Sequence, residues 1–202
     1  MADQEVRDRW TVLLAECTAD QFIFVDESSS QARRNDRPYG WSPKGYRCRT
    51  RPRAAHRKER YSILPAITIN GYIACEVVEG SFDNVRFTNF LRDRVLPLVN
   101  PLPGPQSVVV MDNASSHHTQ RETIEEMFRE VGAKIEYLLA YSPDLNSIET
   151  SFNSLKAWLE RKNFLAEGYK DNYAELLYRG IETTMQDGYA INYFNACGIV
   201  VE

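Results

Sequence analysis

What the 202-residue chain lacks narrows its chemistry before any motif is considered. There is no Cys-x-x-Cys pair, and Cys17, Cys48, Cys75 and Cys197 are too scattered for zinc-ligand spacing. They are expected to be reduced and mostly buried, as in a cytosolic or nuclear protein. No apolar run approaches the ~20 residues that cross a bilayer. The opening MADQEVRDRW is charged and has no apolar signal-peptide core, so a soluble intracellular protein without a membrane partner is expected. A glycine-rich phosphate loop of Walker or Rossmann type is missing, which argues against a nucleotide cofactor. Ser115, Ser116, His117 and His118 stand close together, but without a Gly-x-Ser-x-Gly elbow they do not make a serine hydrolase. Internal repeats and low-complexity tracts are absent too.

What is present is a globular composition, 43% hydrophobic and 11% aromatic, enough for one domain with a substantial core. The expected organisation is a single domain over 1–202, with a basic loop at 31–60 and a helical extension at 163–202. The net charge of −4 hides an asymmetry. Between Gln31 and Arg60 lie eleven lysines and arginines against Asp36 and Glu59. A basic segment on an acidic body suggests a polyanion partner at one surface; a solvated loop or a nuclear-import signal is the alternative.

Hydrophobic periodicity places a helix over Arg7–Ala19 and a short strand over Phe22–Val25 that stops at Asp26 and a serine-rich turn. Two β-rich runs, Tyr61–Ile69 and Tyr72–Val78, flank Asn70-Gly71 as a hairpin, with Pro65 better suited to an edge or bulge than to a central strand. A helix over Asn84–Leu98 follows. The continuous apolar run Ser107–Met111 reads as a strand buried on both faces and stops at Asp112. A helix over Thr119–Val131, capped by Gly132, leads to a strand over Lys134–Leu139. Two more helices, one ending near Lys162 and one over Tyr173–Met185, precede an aromatic tail. The order predicts an α/β fold with a mixed five-stranded sheet flanked by helices, the later strands parallel to the first.

Three carboxylates then fall at comparable places. Asp26 ends the first strand, Asp112 ends a strand expected beside it, and Glu149 opens the helix after the last strand. The carboxyl edge of such a sheet is where α/β proteins bind ligands. Three acids without a basic partner repel one another, and an oxygen-rich acidic set is what Mg²⁺ or Mn²⁺ selects. Each acid also has a plainer role: Asp26 and Asp112 as turn residues, and Glu149 as the partner of an Asn146 N-cap in a capping box.

The stretches FVDES, YGWSPKG, VVVMDNASSHH and YSPDLNSIETSFNSLK, in that order, resemble the catalytic domain of mariner-like DDE transposases, of the integrase group with a ribonuclease H-like fold. The likeness runs from about Arg7 to Lys162 and returns in NYFNACGI. It implies that Asp26, Asp112 and Glu149 are catalytic metal ligands for two Mg²⁺ or Mn²⁺ ions, with Asn113 and His118 in support. It also implies DNA as the partner, met by Arg47, Arg49, Arg51, Arg53, Arg57, Lys58 and Arg60, with a homodimer as a further expectation and the nucleus as the location in a eukaryote. Ser147 and Phe152 depart mildly from the family's usual proline and tryptophan. The paired helix-turn-helix modules of the family have no counterpart upstream of Trp10. The expected function is a metal-dependent DNA endonuclease and strand-transfer domain. A catalytically silent DNA-binding remnant is the alternative, and a nuclease for RNA–DNA hybrids is a third reading.

Overall fold

In a computed structural model of the chain, the described residues are 10–31, 40–48, 60–112, 120–138, 143–162, 169, 172–184 and 188–201. Helix α1 occupies 10–16 and presents Trp10 and Leu13 to the core. A single turn, Ala19–Gln21, delivers the chain into β1, Phe22–Val25, whose four side chains are all buried. Strand β2 is Ser28–Gln31, β3 is Arg60–Thr68, and β4 is Gly71–Glu79. Gly71, at φ +108°, takes the left-handed conformation that the Asn70-Gly71 turn requires.

Helix α2, Asn84–Phe90, is capped by the Asp83 side chain accepting from the Arg86 amide at 2.7 Å. It continues through a π-helical turn, Leu91–Val95, and a 3₁₀ turn, Leu96–Leu98. Strand β5 is Val108–Asp112, α3 is Arg121–Glu130, and β6 is Lys134–Leu138. Helix α4 spans Ser147–Arg161, α5 Tyr173–Thr184, and α6 Tyr189–Ala196. Helix α6 stands where the sequence suggested only an aromatic tail; Tyr193 and Phe194 are buried from it into the core.

The sheet holds six strands rather than five, and the reason lies at Asp26. Strands β1 and β2 both pair antiparallel with β3 along one edge, β2 with Arg60–Ile63 and β1 with Ala66–Ile67. They are two pieces of one lane, interrupted at Asp26-Glu27, so the predicted serine-rich turn is instead a resumed strand. Strand β4 pairs with β3 antiparallel, while β1, β5 and β6 run parallel. The lanes therefore read β4, β3, β1 with β2, β5, β6. Pro65 sits within a central strand, yet between the two stretches of β3 that pair with β1 and β2. A proline is tolerated in a central strand where the ladder is already broken, beside the register shift at Ala66/Ile67.

Alternation along the strands sorts the core into two layers. Phe22, Phe24, Val108, Val110 and Leu138 face α1, α4 and α6, meeting Ile148, Phe152 and Phe194. Ile23, Val25, Val109 and Met111 face α2 and α3, meeting Phe90, Leu91, Ile124 and Phe128. A third cluster joins α4 to α5 and the β3–β4 hairpin through Leu155, Trp158, Leu177 and Ile63. The four cysteines are free thiols; Cys197 is buried and the other three are half-buried, less enclosed than the sequence suggested. No helix among the described residues is long and apolar enough to cross a membrane.

Candidate active site

Strand register places the first two acids. Phe22 is level with Val108 and Val25 with Met111 on the parallel neighbour β5, so one further residue brings Asp26 level with Asp112. Parallel neighbours lie about 4.8 Å apart. Asp26 shares the parity of Phe22 and Phe24, and Asp112 that of Val108 and Val110, so both belong to the face covered by α4. The third acid arrives from that helix. Ile148 and Phe152 bury α4 against this face, and Glu149 lies between them on its first turn.

Asp26 carries the electrostatic cost of this corner. All three acids are half-buried. Asp26 is pushed up to about 7, first by burial and then by the charge of Glu149, with Asp112 raising it further. Two hydrogen bonds oppose the shift: the Glu27 amide donates to Oδ1 at 2.7 Å, and Asn146 Nδ2 donates to Oδ2 at 2.8 Å. Among the described residues no lysine or arginine pairs with any of the three acids.

Asn146 corrects one expectation. It holds the N-cap position with extended backbone, φ −104° and ψ 102°, but its side chain makes no capping bond. The Glu149 amide is bonded to the Asn146 main-chain carbonyl at 3.1 Å instead. The side chain is turned to Asp26, to which its Nδ2 donates, while Oδ1, the atom a cap would use, bonds to no helix amide. Sequence spacing marked Asn146 only as a cap, and the contact with Asp26, 120 residues away in the chain, has no local signal.

The donor set is all oxygen and acidic, which suits a hard divalent cation. Among the described residues no three Asp, Glu, His or Cys side chains are grouped tightly enough to hold a metal ion. The acids are thus brought to one corner of the sheet without forming a finished cage. Of the residues expected to support them, Asn113 and His118 lie outside the described residues, as do Arg49, Arg51, Arg53, Arg57 and Lys58. Arg47 is exposed in the 40–48 loop beside the fully exposed Trp41, and Arg60 is exposed at the start of β3. Neither is in contact with the acidic corner in any recorded bond.

Comparison with known proteins decides the family. The model of the DDE superfamily endonuclease matches residues 21–168, taking in all three acids. The chain belongs to the DDE endonuclease superfamily. No curated protein matches it. Among solved structures, the Mos1 strand transfer complex is similar over 97% of this chain and 60% of that one, at 19% identity and a TM-score of 0.57. The Mos1 mariner paired-end complex with Mn covers 95% and 60% at 16% identity and 0.57, and the complex with Mg 96% and 60% at 17% and 0.54. These likenesses show a shared ribonuclease H-like fold, and the resemblance read from the four motifs is borne out. The DDE chain spans about 60% of the length of these Mos1 chains.

Proposed function

We propose that the chain is a metal-dependent DNA endonuclease and strand-transferase that acts on phosphodiesters through Asp26, Asp112 and Glu149. The observation that carries this is the meeting, on one face, of two carboxylates at the ends of parallel strands with a third from the first turn of α4, none of them ion-paired among the described residues. Such a corner is costly in water and useful around cations.

The three acids would hold two Mg²⁺ or Mn²⁺ ions. Bound there, such ions activate an attacking water or 3′-hydroxyl and stabilise the leaving oxygen of an in-line displacement. Asp112 is fixed by its ladder to β6, opposite Leu138, and so supplies a rigid carboxylate. Asp26 is held by the Glu27 and Asn146 amides, which fix the direction of its oxygens. Glu149 is carried on α4, whose buried face sets its distance from the strands. Asn113 and His118 are assigned supporting roles on the family resemblance alone. The arginines and lysine from Arg47 to Arg60 would grip the flanking DNA backbone, with affinity that falls as salt rises. A homodimer is the proposed assembly, which the paired-end complexes named for Mos1 support, and the proposed location is the nucleus in a eukaryote and otherwise the cytoplasm or nucleoid.

The test is nicking of supercoiled DNA at low salt. Cutting that requires Mn²⁺ or Mg²⁺ and stops with chelator supports the reading. A chain that binds duplex DNA but leaves it intact in either cation would be a binding module instead. Preference for an RNA–DNA hybrid would redirect the substrate while leaving the site in place.

A further inference from the structure

The acidic corner contains a side chain that no cap, core or ion pair accounts for. Asn146 is 4% exposed, and its amide nitrogen donates to Asp26 Oδ2 at 2.8 Å. Its other end, Oδ1, is buried without a partner, and so is the hydroxyl of the adjoining Ser147. A buried carbonyl with no donor costs about 1–3 kcal/mol, so such an atom invites an explanation. Helix capping is not that explanation, because no capping bond exists at this position.

We infer that Asn146 is a positioning residue for the cation site: Nδ2 holds the Asp26 carboxylate, and an Oδ1 without a donor is the cost of that contact. This role rests on the cation reading given above. The chemistry is apt. Asp26 has two oxygens, and the Glu27 amide and Asn146 already occupy one direction on each, while Glu149 and Asp112 are the charges that act on this carboxyl. A carboxylate free to rotate would spend part of its time presenting the wrong lone pairs. Groups that orient a ligand from behind commonly matter to metal affinity by 10–100-fold.

The experiment separates positioning from capping. Serine caps a helix as well as asparagine does, but is too short to bridge to Asp26. The full chain and its Asn146→Ser and Asn146→Ala variants are titrated with Mn²⁺, free ion being read from its electron paramagnetic resonance signal. Melting of the metal-free proteins is followed by circular dichroism. The expected result is an Asn146→Ser variant that melts within about 3 °C of the parent yet binds Mn²⁺ about 10–100-fold more weakly. Asn146→Ala should lose at least as much affinity. Full Mn²⁺ affinity in Asn146→Ser, whatever the alanine variant does, would overturn the role and leave the Asn146–Asp26 bond a purely structural contact. A parent chain that binds no Mn²⁺ would instead overturn the cation reading itself, and this role with it.

Discussion

Asp26 concentrates the electrostatic tension of the site in one carboxyl group. Its folded value near 7 lies above the ordinary 3.8, so between those limits the folded chain retains a proton that the unfolded chain gives up. The sign follows directly: without metal, this group's contribution to stability is full below about pH 4 and is lost as pH rises through 7. The loss reaches about 1.4 kcal/mol per pH unit at its steepest. A divalent cation reverses the preference, because it binds the deprotonated form and competes with the proton. The shift in melting temperature on adding Mn²⁺ should therefore be larger at pH 8 than at pH 6. An equal shift at both values would show that Asp26 is not a ligand. The place of Asp26 at the end of FIFV was legible in the sequence, but its restraint was not. The two residues that hold it are its immediate neighbour and one 120 positions away, and sequence spacing carries no record of the second contact.

At the scale of elements, the site depends on how firmly α4 lies against the sheet. The helix is clamped on its outer side by α5, and the closest approach is at Gly180. A β-carbon there would meet Leu155 Cδ1 at 2.7 Å and the Trp158 ring at 3.0 and 3.1 Å. A leucine methyl can turn aside, whereas a buried indole cannot. Gly180→Ala gains about 1 kcal/mol of helix propensity but incurs about 1–3 kcal/mol of overpacking. The expected net is a loss of about 1 kcal/mol, read as a lower urea midpoint with an unchanged slope. A rise in the midpoint would mean that α5 yields and that the crossing is softer than the contacts indicate.

The element pattern also shows which parts of a fold local sequence can reveal. Strand β5, a run of valines, and α3 with its apolar stripe were plain from periodicity, because burial on two faces or one leaves a direct imprint. Strand β2 was not, since Ser28–Gln31 has no apolar alternation; it is a strand only because β3 offers it a free edge. Helix α6 was read as a tail for a similar reason. Its aromatic residues are spaced for a pocket between α1 and α4, which does not exist until the sheet has formed.

At the scale of the whole molecule, charge is divided between an acidic body and a basic segment. Arg47 and Arg60 are exposed members of that segment, as is Lys44, among the described residues. If they neutralise DNA phosphates, replacing each by glutamine should weaken binding uniformly across sequences. The slope of log affinity against log salt should also fall by about 1 for each arginine removed. An unchanged salt slope would place the DNA track elsewhere. The charge division was visible in the sequence, as was the order of motifs that pointed to the family. The relative placement of basic segment and acidic corner was not, because it depends on long-range packing rather than on local pattern.

The central claim is that three acids, brought together by strand register and one helix turn, act as a single cutting site. The most direct measurement compares Mn²⁺-dependent nicking of supercoiled DNA by the parent chain with that of its Asp112→Asn and Glu149→Gln variants. Both substitutions preserve shape and remove charge, one on β5 and the other on α4. The account predicts that each variant loses nicking by at least about 100-fold while retaining its fold and its DNA affinity. Nicking that survives in both would contradict it, leaving Glu149 as a first-turn acid favourable to the helix dipole and Asp112 as the end of a strand.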